Sequence, residues 1–204
     1  MAPSFGTDGV RGLANEALTP DVALALGRAA AEVLGCDRFV VGRDPRRSGP
    51  MLEAALVAGI CSAGADVAPL GLVPTPTVAW ASADGGAAGA MISASHNPFG
   101  DNGIKLFAPG GLKLSDDVEA SIEAAYRQLL SAGIGPGPTG PAIGTILERS
   151  AATAEGWMTT IRDSIAPRNL ERLTIVVDCA NGAASGLGPK VYTDLGATVE
   201  VIGD

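Results

Sequence analysis

Short apolar runs alternate along the chain with longer stretches whose apolar positions recur every three or four residues. That alternation predicts an α/β protein. The runs Phe39–Val41, Asp66–Val73, Ala87–Ile92, Thr174–Val177 and Thr198–Ile202 have the length and branched or apolar content of strands. Leu112-Lys113-Leu114, after the turn residues Ala108-Pro109-Gly110-Gly111, predicts the return of a hairpin. Thr19-Pro20-Asp21 is a helix start: a capping side chain, a proline in the first turn and then an acid. Val22, Leu26, Ala29 or Ala30, and Val33 then share a face, and Gly35 closes the helix. Further helices are expected from about Pro50 to Gly64, over Thr77–Ala83, from Ser115 with Asp116 and Asp117, over Ala151–Ser164, and over Gly186–Leu195. Residues 4–12, with Gly6, Gly9 and Gly12, suggest a loop whose backbone can approach a ligand closely.

Ala132–Gly144 is rich in glycine and proline and has no periodicity, which is the signature of a linker. The expected organisation is a first domain over 1–131, a linker over 132–150 and part of a second domain over 151–204. A faint echo joins the two parts. Val40-Val41 leads into a polar loop ending in Ser48-Gly49, and Val176-Val177 into one ending in Ser185-Gly186.

Candidate chemistry gathers where the Ala87–Ile92 run stops. Ser93, Ser95, His96, Asn97 and Pro98 follow at once, and His96 is the only histidine of the chain. Pro98 has no N–H and disfavours a helical Asn97, so the strand ends in a turn. Gly100 and Asn102-Gly103 permit a second turn before Ile104-Lys105-Leu106 resumes a strand. Ser95 is thereby expected at the mouth of a sheet, hydroxyl outward, with Lys105 returning nearby. A serine hydroxyl is a weak nucleophile until a neighbour takes its proton or stabilises its product. His96 and Lys105 are the candidates for either task. The same residues also suit a polar turn between two core strands.

Of the 204 residues, 47% are apolar and only 4% aromatic, so the core must be built from Ala, Val, Leu and Ile. A net charge of −8 argues against broad nucleic-acid binding, and an acidic chain that handles phosphate must concentrate its cations locally. Arg11, Arg43, Arg46, Arg47 and Lys105 all lie in or beside the special loops. Arg11 suits an anion clamp. Arg43 and Asp44 can pair with each other or touch a ligand. The loop Gly42–Gly49 stands before a helix, yet it lacks both the Walker lysine and the G-x-G-x-x-G spacing. Cys36, Cys61 and Cys179 form no C-x-x-C pair and are expected as reduced thiols in a cytoplasmic protein. Neither a zinc site, a signal peptide nor a membrane span is expected.

Ser93-Ala94-Ser95-His96-Asn97-Pro98, followed by Asp101-Asn102-Gly103-Ile104-Lys105, resembles the phosphoserine loop of the α-D-phosphohexomutases. Phe5-Gly6-Thr7-Asp8-Gly9-Val10-Arg11-Gly12 looks like the opening of one branch, the phosphoglucosamine mutases. Gly42-Arg43-Asp44-Pro45-Arg46-Arg47-Ser48-Gly49 is a third matching block, and the likeness runs from Phe5 to the end. It implies a mixed β-sheet packed between helices, followed by the start of a second domain of similar topology. Ser95 would be the phosphorylated serine. Lys105, His96 and Arg11 would assist phosphoryl transfer, and Arg11, Arg43 and Asn97 would bind phosphate or substrate.

The implied reaction interconverts glucosamine 6-phosphate and glucosamine 1-phosphate through a sugar bisphosphate, for amino-sugar nucleotide and cell-wall precursor synthesis. The implied cofactor is Mg²⁺, held by the Ser95 phosphate and by an aspartate-rich loop. Sugar bisphosphate would be the activator, a phosphosugar the substrate, and a homodimer through the first domain a possible assembly, with neither nucleic acid nor membrane as partner. No aspartate-rich loop stands before Asp204, so the resemblance implies a fragment, inactive by itself. A phosphomannomutase or phosphoglucomutase, or a non-catalytic folded fragment, are the alternatives.

Overall fold

The structure is a computed structural model that describes residues 3–6, 9–148 and 151–204. Thr7 and Asp8 of the opening block, and Arg149 and Ser150 at the end of the expected linker, lie outside them. The described chain begins with two short strands, β1 (Phe5–Gly6) and β2 (Gly9–Leu13), then α1 (Pro20–Leu34), β3 (Arg38–Arg43) and α2 (Gly49–Ser62). It continues through β4 (Asp66–Leu72), α3 (Thr75–Gly85), β5 (Ala88–Ile92), β6 (Asp101–Ala108), β7 (Leu112–Lys113) and α4 (Asp116–Ala132). The strands form one mixed sheet in the order β1-β2-β6-β5-β3-β4, with β7 paired to β6. Helical crossovers make β3 parallel to both β4 and β5, while the tight serine turn makes β5 antiparallel to β6.

The strands alternate their side chains between two cores. Phe39, Val41, Ile92, Ile104 and Leu106 pack with Leu26, Leu56, Ile60, Ile122 and Tyr126 of α1, α2 and α4. Val40, Met91 and Phe107 pack on the opposite face with Val78 of α3. The sheet therefore lies between helices, as the resemblance implied. The expected caps of α1 are made: Thr19 Oγ1 accepts Val22 N–H at 3.3 Å, and Gly35 sits at φ 59°.

Three expectations change. Within the expected loop 4–12, Phe5–Gly6 and Gly9–Leu13 form the antiparallel pair β1–β2, with β2 docked on β6. The glycines serve that docking: Gly9 has φ 88°, and a Cβ there would overlap Ile104 O. The helix expected over Thr77–Ala83 begins earlier, at Thr75, because Pro76 in the first turn gives up an N–H that has no helical partner. Arg43 and Asp44 do not pair with each other. Arg43 Nε donates to Glu53 at 2.8 Å, and Asp44 takes Arg46.

The Gly/Pro stretch is laid along α1 and α2 and ends at the β4 edge of the sheet. Arg28 Nη2 donates to Pro136 O at 3.1 Å, and Gly144 N donates to Cys61 O at 3.0 Å. Ile146 bridges Val67 in parallel beyond β4. Thr145 N–H and Oγ1–H both donate to Asp66 Oδ1 at 2.8 Å. Those bonds, the backbone one foremost, hold the Asp66 carboxyl below the usual carboxylate range. A lowered acid stabilises the fold above its ordinary range, and that contribution is lost as pH falls through the lowered value. The Thr145 amide resonance should therefore shift at a pH below that at which unpaired aspartates titrate, and Asp66→Asn should abolish the transition.

Beyond this stretch come α5 (Ala151–Ile165), β8 (Thr174–Asp178), α6 (Gly188–Asp194) and β9 (Thr198–Ile202). β8 and β9 pair in parallel, like β3 and β4 with their intervening helix. Trp80 of α3 lies on α5: a Cβ added to Gly156 would come 2.7 Å from its indole ring. Among the described residues no helix is long and apolar enough to cross a membrane.

Candidate functional site

β5 ends at Ile92, and the chain turns twice before β6 begins. Ser93 N donates to Gly103 O at 2.9 Å, which ties the two strand ends together. Asn97 N donates to Ala94 O at 3.1 Å and closes the first turn; Asp101 N donates to Pro98 O at 3.0 Å and closes the second. Ala94 is buried and anchors the turn, while Ser95 and His96 beside it are exposed. Ser95 has φ 56°, a left-handed backbone uncommon for a residue with a Cβ. Its Oγ lies 3.2 Å from His96 Nδ1. With that nitrogen unprotonated, the imidazole accepts the serine proton.

The turn is braced from beneath. Ser95 N–H donates to Ser93 Oγ at 3.0 Å, and Ser93 Oγ–H donates to Asp44 Oδ2 at 2.7 Å. Asp44 is 7% exposed and receives Arg46 Nε at 3.1 Å. The rest of the Arg46 guanidinium donates to main-chain carbonyls of Ser95, Asn97, Pro98 and Asp101. Buried Asn102 secures the second strand: its Nδ2 donates to Ser48 Oγ at 2.9 Å, and its Oδ1 accepts Gly103 N–H at 2.8 Å.

Lys105 and Arg11 stand on one face of the sheet. Lys105 pairs with Met91 and projects opposite to Ile104 and Leu106, with its ammonium 5.6 Å from the Phe107 ring centroid. Arg11 faces Gly103, two residues earlier on β6, and covers it: a Cβ there would come 2.9 Å from Arg11 Cγ. Arg11 Nη1 donates to Asn97 Oδ1 at 3.4 Å, and Asn97 Nδ2 to Asp101 Oδ2 at 3.1 Å. So Ser95, His96, Asn97 and Arg11 converge on the turn, with Lys105 on the same sheet face as Arg11. Arg43 is directed to Glu53 at the start of α2, and its side chain is one-fifth exposed.

In front of Ser95 opens a cleft of about 740 Å³. One wall is Pro74–Pro76, Met91, Ser93, Asn97 and Phe99; the other is the loop Cys179–Ala184 after β8. Ala180 and Asn181 both have left-handed backbones, at φ 47° and 49°, and Ala180 N–H is held by Asp178 Oδ1 at 2.9 Å. Sequence reasoning missed this wall. Its signals were Asn181-Gly182, a turn dipeptide after the Thr174–Val177 run, and the echo between this loop, ending in Ser185-Gly186, and the one ending in Ser48-Gly49. Arg46 was noticed only as one cation among several.

Cys36 and Cys61 are free thiols whose burial, reinforced by Asp37 and Asp66 respectively, pushes them up and keeps them protonated. Neither lines the cleft. Among the described residues no three His, Cys, Asp or Glu side chains gather to hold a metal ion. These residues by themselves do not make a divalent-cation site.

Residues 2–132 match the family "Phosphoglucomutase/phosphomannomutase, alpha/beta/alpha domain I". The chain is 52% identical over 211 residues to the phosphoglucosamine mutase of Corynebacterium jeikeium, covering 99% of this chain and 46% of that protein. It is likewise 52% identical over 209 residues to the phosphoglucosamine mutase of Rhodococcus jostii, with the same coverage. Among solved structures, a phosphoglucomutase/phosphomannomutase family protein from Burkholderia thailandensis superposes with a TM-score of 0.82 at 30% identity. That match covers 100% of this chain and 44% of the other. The chain thus spans a little under half the length of these relatives.

Proposed function

Because the chain belongs to the phosphoglucomutase/phosphomannomutase family, we propose that it carries the phosphoserine of a phosphoglucosamine mutase. The exposed Ser95 hydroxyl, on a braced left-handed turn facing a cleft, is the observation that carries this reading. In the forward half-reaction the bond between phosphorus and Ser95 Oγ breaks. A new bond forms from phosphorus to a hydroxyl of a glucosamine phosphate, and the hydroxyl proton leaves to a base. In the return half-reaction Ser95 takes the other phosphate of the bisphosphorylated sugar and loses its own proton.

Such a transfer depends on in-line positioning and charge neutralisation more than on covalent help from the protein. His96 Nδ1, within hydrogen-bond reach of Ser95 Oγ, is placed to accept and return the serine proton. Arg11 and Lys105 would lend positive charge to the phosphoryl oxygens, Arg11 through the bond that also orients Asn97. Bound Mg²⁺ would neutralise phosphate charge. The described residues offer it only the Ser95 phosphate, so the steps here run through the protein groups alone. Sugar bisphosphate would recharge a dephosphorylated Ser95.

The test is made on the protein at the full length of its curated relatives. After incubation with glucosamine 1,6-bisphosphate and Mg²⁺, peptide mass mapping should find one phosphoryl group, on the segment bearing Ser95. Phosphorylation only elsewhere would refute the reading. Parallel assays with glucosamine, glucose and mannose 6-phosphates should favour the amino sugar; preference for the other two would reassign the enzyme to phosphoglucomutase or phosphomannomutase.

A further inference from the structure

Arg46 directs its entire guanidinium into the segment that carries Ser95. A guanidinium has five N–H donors in a rigid fork. Nε–H goes to Asp44 Oδ2 at 3.1 Å. Nη1 donates to Pro98 O at 2.6 Å and Asp101 O at 2.9 Å. Nη2 donates to Ser95 O and Asn97 O, both at 2.9 Å. All the donors are committed to the protein, and the positive charge is opposed by a carboxylate that is itself buried. Both side chains of the pair are 11% exposed. Arg47, next in the chain, is exposed, and Arg43 pairs with Glu53, so neither duplicates this contact.

We propose that Arg46 is a positioning residue: it gathers four carbonyls of the serine turn around one planar cation, and so fixes the left-handed backbone that presents Ser95 Oγ. This rests on the phosphoserine reading above. The carbonyls of Ser95, Asn97, Pro98 and Asp101 point to one centre and would repel one another without a donor there; of the four, Pro98 O also accepts Asp101 N–H in the second turn. Asp44 extends the brace: its Oδ1 accepts Arg46 N–H at 3.1 Å, and its Oδ2 holds Ser93, whose hydroxyl holds Ser95 N–H. Both sides of the Ser95 peptide are therefore tied, through one buried ion pair, to the end of β3. Phosphate recognition is left to other side chains. Lysine cannot replace the fork, because an ammonium offers three donors in a compact tetrahedral arrangement.

The experiment compares Arg46→Lys and Arg46→Gln with the unsubstituted protein, at the full length of its relatives. Turnover of glucosamine 6-phosphate should lose about 10²-fold in kcat, as misplacement of a reacting group does, with KM changed less than about threefold. Amide exchange should quicken over residues 94–102 and stay unchanged in β3, β5 and β6. Free guanidinium ion at a non-denaturing concentration should restore part of kcat to Arg46→Ala. A rise in KM alone would overturn the proposal, because Arg46 would then be a phosphate ligand. Unchanged kcat, unchanged exchange over 94–102, or faster exchange throughout the sheet would each overturn it too. The exchange measurement needs no substrate. If Ser95 takes up no phosphoryl group, the phosphoserine reading fails while the exchange result still decides on Arg46.

Discussion

Ser95→Ala is expected to remove phosphoryl uptake completely and to leave the fold in place. The hydroxyl is the only atom lost, and its side-chain contact is with exposed His96. The turn is held instead by main-chain groups that alanine keeps: Ser95 N–H on Ser93 Oγ and Ser95 O on Arg46. A surface change of this kind alters stability by about 0.5 kcal/mol or less. Intact mass after incubation with sugar bisphosphate should show the adduct on the unsubstituted protein and none on the variant. Ser95→Gly is the sharper control. Glycine adopts the observed φ of 56° without a Cβ penalty, so this variant should melt no lower than the parent while also losing the adduct. A phosphoryl group surviving at equal stoichiometry on either variant would end the assignment of Ser95.

Gly59→Ala should produce a large loss of stability. α1 and α2 cross backbone to backbone, each through a glycine. A Cβ on Gly59 would overlap Leu24 O and come 2.9 Å from Arg28 N; one on Gly27 would overlap Leu56 O. Main chain cannot rotate aside as a side chain does, so the helices must separate. Their interface contains the fully buried Leu26, Ala30, Leu56 and Ile60. Overpacking of this kind costs about 3 kcal/mol or more, which for a chain of this size corresponds to a fall in Tm of about 6–12 °C. Helix propensity acts the other way, since alanine is better than glycine by about 1 kcal/mol, and it offsets only part of the cost. Thermal melting of Gly59→Ala, Gly27→Ala and the double variant tests this. The double variant should lose less than the sum, because one separation relieves both contacts. A Gly59→Ala protein as stable as the parent would show that the crossing is not as close as described.

Much of the fold was legible because its signals are local. Thr19, Pro20 and Gly35 bound α1, and Ser115 begins α4, because cap and proline chemistry act within one turn of the residues themselves. The strands Asp66–Leu72 and Ala88–Ile92 stood out as apolar runs bounded by glycine, proline or polar residues. The serine turn was legible for the same reason: Pro98, Gly100 and Asn102-Gly103 leave the chain few other shapes.

β1 and β2 were not legible. Phe5–Gly6 and Gly9–Leu13 are short and glycine-rich, and become strands only because β6 supplies a partner about ninety residues downstream. The stretch Ala132–Gly144 has linker composition, yet Arg28 and Cys61 hold it on α1 and α2, and Asp66 holds its continuation at the edge of β4. Arg43 and Arg46 show the same limit at the site. They stand three residues apart in one motif, and nothing local distinguishes them. One meets Glu53 of α2 and the other the carbonyls of the serine turn, because of where β3 ends relative to each.

The sequence by itself determined the order of the helices and of the longer strands, the caps of α1 and α4 and the turn that bears Ser95, since these follow from backbone sterics within a few residues. Only the tertiary structure decided which cation braces that turn, that Cys179–Ala184 walls the cleft, and that glycines set the spacing of α1 and α2. Those are contacts between segments far apart in the chain, and chain order carries no information about the distance between such side chains until the sheet has brought them together.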